Sequence, residues 1–205
     1  MTAPTTTARL AVPSDREEVA ALCLEAFADE AVITWLLPDP ATRPAQMRTM
    51  FVAPLENAIA AETVLLAVTG TGAPIAVSFW IPRAEAPEEA APRSGSGAGT
   101  DEDPVGRRLA VLEDATEGAR PDVPHLHLSS MAVLPGQRGR GAGGAMLTAG
   151  LARAEELRLP VHLEASTPAS RRLYVRHGFR DHGAPLELPG QGPVLRPMWR
   201  ERAAP

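Results

Sequence analysis

The amino-acid sequence predicts a mixed α/β (α+β) fold, a mostly antiparallel central sheet flanked by helices, on three observations. Short apolar runs bounded by Gly, Pro or polar residues recur along the chain, as in Thr63 to Val68 and Val161 to Ala165. Longer stretches between them carry apolar residues at helical spacing. From Leu126 to Ala165 a strand, a glycine-rich loop, a helix and a second strand follow in the order of a βαβ unit. A chain of 205 residues suits a single domain.

Thr7 to Val12 reads as the first strand. Ser14-Asp15-Arg16-Glu17 then has the form of a capping box, with Val19, Leu22, Cys23 and Ala26 at helical spacing behind it. A second helical stretch runs from Pro44 to about Ala60, interrupted at Pro54. Thr63 to Val68 and Pro74 to Ile81, joined by a glycine-containing link, form a hairpin. The segment at about 83–104 is rich in Pro, Gly and acids and is expected to be a mobile insertion within the domain. Val105, Leu109 and Leu112 mark a short helix.

Leu126 to Val133 is the next strand, and the helix from about Gly141 to Arg158 shows a stripe of Leu147, Leu151, Ala154 and Leu157. After the strand Val161 to Ala165, Thr167 and Pro168 suit the N-cap and first residue of a short helix that stops at Gly178. Phe179 to Leu188 and Pro193 to Trp199 are the last two strands.

Composition narrows the function. Hydrophobic residues make up 44% of the chain but aromatics only 4%, so Ala, Leu and Val must fill most of the core. No apolar run approaches the ~18 residues of a membrane span, and no signal-peptide pattern opens the chain. A soluble, cytoplasmic protein, monomeric or homodimeric, is expected. The lone Cys23 falls on an apolar helix stripe, and no Cys/His spacing suggests a metal. A net charge of −5 argues against nucleic acid as a partner. The charge is uneven: residues 125–205 hold 11 Arg against 6 acids, whereas residues 1–124 hold 9 Arg against 19 acids. The chain has no lysine, so every fixed side-chain cation is a guanidinium, suited to phosphate.

The segment from Gln137 to Gly144, QRGRGAGG, lies between a strand and a helix. Its glycines allow successive backbone N–H groups to face an anion, and the helix start adds partial positive charge. Three nucleotide-binding patterns overlap here. The glycine spacing of a P-loop is present from Gly136 to Gly141, but the lysine and hydroxyl that must follow are absent. Gly139, Gly141 and Gly144 satisfy the dinucleotide pattern G-x-G-x-x-G, with Glu164 placed as its ribose-binding acid. That reading, which would make the chain an oxidoreductase, is weakened by the residues between strand and loop and by the short remaining chain. The third pattern, (Gln/Arg)-x-x-Gly-x-(Gly/Ala), is matched by Arg138, Gly141 and Gly143.

On that pattern, together with HLSSMAVLP before it and VHLEAS and RRLYVRHGF after it, the chain resembles the GNAT superfamily of N-acetyltransferases. The resemblance implies acetyl-CoA as acyl donor and an amine, on a small molecule or a protein, as acceptor, joined by direct attack in a ternary complex. It implies that Met131, Ala132 and Val133 bond the pantetheine arm, while Arg138, Gly139, Arg140, Gly141, Ala142, Gly143 and Gly144 hold the pyrophosphate through backbone N–H groups, either arginine side chain being free to face solvent or the 3′-phosphate. Tyr174, the only tyrosine, matches the position that protonates the departing thiolate. Ser170 stands where many members carry a cofactor-binding Asn. Glu164 and His127 are the candidate bases, His127 reading more readily as a packed strand residue. His125 and His162 have no supporting context. Phe27, Trp35, Leu36 and Trp80 are candidates for the acceptor site or for the core. A non-catalytic acyl-CoA sensor or scaffold is the alternative.

Overall fold

The computed structural model describes residues 6–84 and 103–202. The insertion expected at about 83–104 therefore falls mainly outside the described residues. Eight strands order as β1-β2-β3-β4-β5-β8-β6, with β7 paired to β8. They are β1 (Thr7–Leu10), β2 (Val64–Val68), β3 (Pro74–Arg83), β4 (His125–Val133), β5 (Val161–Ala165), β6 (Arg180–Asp181), β7 (Leu186–Glu187) and β8 (Val194–Arg200). Every pairing is antiparallel except β4 with β5. This is the mixed sheet expected, and a doubly wound dinucleotide sheet is excluded by it.

Helices cover both faces. On one side α6 (Ala142–Glu156) places Leu147, Leu151 and Ala154 against Leu126, Leu128, Leu163 and Met198. On the other, α1 (Arg16–Ala26), α2 (Ala31–Leu36) and α4 (Leu55–Ala60) bury Leu22, Leu36 and Leu55 with Leu66 and Val77. Because both faces are covered, β2 reads as an unbroken apolar run, VLLAV, all buried. Cys23 is fully buried in this core, and burial pushes its thiol up to about 12.

Several boundaries differ from the sequence reading for local reasons. The Ser14–Glu17 capping box does not form. The chain passes through a 3-10 turn, Pro13–Asp15, and Asp15 instead accepts from the Val12 N–H at 2.8 Å and from Arg9 at 2.6 and 2.9 Å. The short helix at Val105 is α5 (Pro104–Gly118), started by the Asp103 carboxylate accepting from the Val105 N–H. The stretch Pro44 to Ala60 breaks into α3 (Arg43–Met47), a π-turn at Arg48–Val52 and α4. Leu157 is 45% exposed because α6 ends before it and Arg158 turns at φ 57°. The expected strand Phe179 to Leu188 divides into β6 and β7, with Gly183 at φ 77° between them.

The feature that positions the site is a bulge. The β3–β4 register steps from Phe79↔Ser130 to Trp80↔Leu128, leaving Ser129 without a partner across the ladder. A bulge bends its strand. The parallel ladder between β4 and β5 ends at that level, with Leu128↔Leu163 its last pair. Beyond it β4 stays bonded to β3 along one edge, and its other edge faces a widening gap.

Candidate active site

Two cavities occupy the gap. The larger, about 750 Å³, is lined by Met131–Val133 of β4, by the glycine loop and by the N-terminal part of α7 (Pro168–Arg176). The loop gives it its charge. Gly139 and Gly141 sit at φ 75° and 90°, a left-handed region where a β-carbon costs about 1–2 kcal/mol. This turn delivers the chain into α6 with no side-chain cap, and Ala145 donates to Gly141 O at 3.0 Å as the regular helix pattern begins. The start of a 15-residue helix thus offers backbone N–H donors and the positive end of its dipole to the cleft. A β-carbon on Gly143 would approach Leu173 Cδ2 to 3.2 Å, so glycine also lets α7 lie close.

The two loop arginines differ. Arg138 donates to both Asp29 carboxylate oxygens at 2.7 Å, to Val133 O at 3.1 Å and to Ala26 O at 3.3 Å. Its guanidinium ties the loop to the end of α1 and the segment after it, and Arg138 itself lines the cleft. Arg140 is exposed and does not line the cleft, whereas Arg176 of α7, which no motif singled out, does. Ser170 lines it too, but its hydroxyl donates to Thr167 O at 2.9 Å and its own N–H donates to Thr167 Oγ1 at 3.0 Å. It completes the helix cap expected at Thr167.

The second cavity, about 300 Å³, adjoins the first; Glu30, Met131, Ser166 and Tyr174 line both. Its walls are apolar, with Phe27 and Phe51 stacked at 4.8 Å beside Ile33, Leu36 and Leu112. Of the four candidate acceptor residues, Phe27 and Leu36 line it. Trp35 instead donates its indole N–H to Pro189 O at 2.8 Å, and Trp80 lies against α6. Glu30, Glu113 and Glu164 bring three carboxylates, and among the described residues no arginine lines the cavity.

Parallel register places His127 beside His162, and Glu164 two residues on shares their face. His127 Nε2 lies 3.0 Å from Glu164 Oε2, and His162 Nδ1 lies 3.5 Å from Glu164 Oε1. Burial acts to raise the Glu164 carboxyl, but the His127 hydrogen bond and surrounding imidazoles outweigh it and hold it below the usual value. Tyr174 is 6% exposed. Burial first, then the fields of Glu30 and Glu164, push its phenol above the ordinary value, so it stays protonated. Glu30 was not anticipated. It caps α2, accepting from Val32 and Ile33 N–H at 2.7 and 3.2 Å, and its other oxygen accepts from Ser166 Oγ at 2.7 Å. A carboxylate in place of the usual small N-cap residue was the available signal.

The buried imidazoles predict acid sensitivity. Burial, opposed by Glu164, lowers His162 to about 4, and burial also lowers His125. Below the ordinary histidine value of about 6.5 the unfolded chain takes up protons that the folded chain refuses. Stability should therefore fall as pH drops from about 6.5 towards 4, by about 3 kcal/mol for His162 alone. Glu164, whose stabilisation is lost as pH falls through its depressed value, adds in the same direction. Urea unfolding at pH 7.5, 6.0 and 5.0 measures this; a midpoint independent of pH across that range contradicts it.

A sheet that splits beside an uncapped helix N-terminus, with a phenol between two joined cavities, is the frame of the N-acetyltransferase class. Known proteins agree. A model of the Acetyltransferase (GNAT) family matches residues 74–179, more than half of the chain. The chain belongs to that family. Among solved structures it is similar to a Corynebacterium glutamicum protein described as histone acetyltransferase HPA2 and related acetyltransferase. That likeness has a TM-score of 0.69 at 26% identity and covers 100% of this chain and 99% of the other. A mosquito arylalkylamine N-acetyltransferase-like protein 5b superposes at TM-score 0.71 and 17% identity, covering 96% and 99%. The Drosophila melanogaster polyamine N-acetyltransferase that forms N-acetylagmatine gives 0.64 at 14% identity, covering 96% and 100%. Among the described residues no helix is long and apolar enough to cross a membrane.

Proposed function

We propose that this protein transfers the acetyl group of acetyl-CoA to a primary amine bearing a small apolar body, by direct attack in a ternary complex. The observation that carries this reading is the meeting of the two cavities at Tyr174, one lined by the glycine loop and one by apolar walls with three carboxylates. Acetyl-CoA supplies a thioester, an acyl group activated towards nitrogen. The N-terminus of α6 fits its pyrophosphate, and the unpaired edge of β4 from Met131 to Val133 fits its amide-bearing arm.

Glu164 and His127 are suited to take the proton that the amine must lose, directly or through water. Tyr174 is suited to donate a proton as the thiolate departs. The Glu30 carboxylate between the cavities favours a cationic amine at the entrance and disfavours acidic acceptors. Agmatine and arylalkylamines are acceptors named for structural neighbours, and both classes carry a primary amine.

The test is acetyl-CoA consumption against a panel of amines, followed by free-thiol release, with binding of acetyl-CoA and NAD(H) measured by calorimetry. Amine-dependent thiol release, greatest for apolar primary amines and absent with amino acids of net negative charge, is the expected result. Acetyl-CoA binding without thiol release across a broad panel favours a non-catalytic sensor. Tight NAD(H) binding without acetyl-CoA binding overturns the reading.

A further inference from the structure

The base proposed above uses two members of a larger constellation. His127, His162 and Glu164 each offer one donor atom, and these atoms all lie within 4.8 Å of one another. The Glu164 carboxylate spans the two imidazoles, at 3.0 Å from His127 Nε2 and 3.5 Å from His162 Nδ1. Tetrahedral Zn²⁺ with ligands at ~2.0–2.1 Å separates its donor atoms by about 3.3 Å. Each imidazole meets its own oxygen of the carboxylate, at separations close to that value. Two imidazoles and a carboxylate are the donor set of an open three-ligand zinc site, in which the fourth position is left to solvent or substrate.

The ligands are held rigidly. His127 and His162 occupy paired positions in the β4–β5 ladder, so their spacing is set by the sheet and not by a loop. A second observation concerns the far side of the cluster. His162 is 1% exposed, and its Nε2 is buried with no hydrogen-bond partner; the same holds for Nε2 of His125. His125 Nδ1 lies 2.8 Å from Val123 O and so carries the proton, which leaves its Nε2 bare. A metal on His162 Nδ1 fixes that ring as the Nε2–H tautomer. It leaves Nε2–H a buried donor on the side of the His125 ring, whose centroid lies 5.6 Å away edge to face, with no hydrogen bond joining the two Nε2 atoms.

We propose that His127, His162 and Glu164 form a binding site for one Zn²⁺-class divalent ion, with its open position facing the amine cavity. Both His127 and Glu164 line that cavity. A bound ion takes up the lone pairs needed to accept the amine's proton, so zinc inhibits turnover. That consequence rests on the acetyltransferase reading; the binding itself does not.

The experiment titrates chelator-treated, full-length protein with Zn²⁺ by calorimetry and with Co²⁺ by visible absorption. One equivalent should bind, and Co²⁺ should give the intense visible bands of four-coordinate geometry. His162→Asn and His127→Gln should each weaken zinc binding by more than about 100-fold, beyond the 10–100-fold typical of losing only an outer-shell partner, with acetyl-CoA affinity and thermal midpoint serving as checks that each variant is folded. His182→Asn, at an exposed imidazole outside the triad, should leave zinc affinity unchanged. Absence of saturable one-to-one binding, or affinity unaltered in both triad variants, overturns the site. Zinc binding without inhibition upholds the site and removes Glu164 and His127 as the base.

Discussion

Replacing Tyr174 by Phe should lower kcat for acetyl transfer about 100-fold while changing acetyl-CoA affinity less than about threefold. General acids typically contribute 10²–10⁴-fold, whereas the phenol ring, not its hydroxyl, supplies the packing. The ring lies 5.8 Å from Phe179 and is 6% exposed, and phenylalanine keeps that contact. Burial and the fields of Glu30 and Glu164 keep the phenol protonated. The protonated phenol is the form that can donate to the departing thiolate. Stopped-flow thiol release under conditions where chemistry limits turnover, with calorimetric acetyl-CoA affinity alongside, measures the split. An unchanged chemical rate removes Tyr174 from the mechanism, and a large loss of acetyl-CoA affinity recasts it as a binding residue.

Local chemistry made much of this architecture readable in sequence. The strand Val161–Ala165, the Thr167 cap with Pro168 after it and the stop at Gly178 follow from side-chain pattern and glycine or proline geometry, and the structure places them there. The glycine loop is legible for the same reason, since positive φ at Gly139 and Gly141 is a local demand. Contacts set by long-range register were not legible. Nothing near Glu164 in sequence indicates His127, 37 residues away; the parallel ladder brings them together. The sequence leaves the role of the Arg138 side chain open, and only the fold brings Asp29 against it from 109 residues away. The bulge at Ser129 that opens the cleft depends on how β3 and β4 slide past each other, which no turn or cap motif specifies. Trp80 could be placed in the core or the acceptor site from sequence, because alternation in β3 does not say which helix covers which face.

That placement of Trp80 carries the largest expected effect on stability. Gly150, in the middle of α6, faces the indole so closely that a β-carbon would sit 2.0 Å from Trp80 Cζ2 and 2.3 Å from Cε2. Carbon atoms pack at about 3.5–4.0 Å, so an alanine there forces the helix off the sheet or the ring out of its slot. The ring is not free to slide, because its N–H donates to Ser78 Oγ at 2.9 Å in a fully buried position. At an open helix site Gly→Ala stabilises by about 1 kcal/mol. Here Gly150→Ala should destabilise by about 3 kcal/mol, at the upper end of overpacking costs. For a chain of this size that lowers the thermal midpoint by roughly 6–12 °C. Trp80→Leu should destabilise on its own through a cavity, yet Gly150→Ala added to it should cost nothing or stabilise. Such sign reversal in a double-mutant cycle is the mark of one shared contact. Thermal melts of the four proteins measure it. A midpoint raised by Gly150→Ala alone shows that α6 stands further from β3 than this packing requires, and the βαβ unit that carries the glycine loop is then anchored elsewhere.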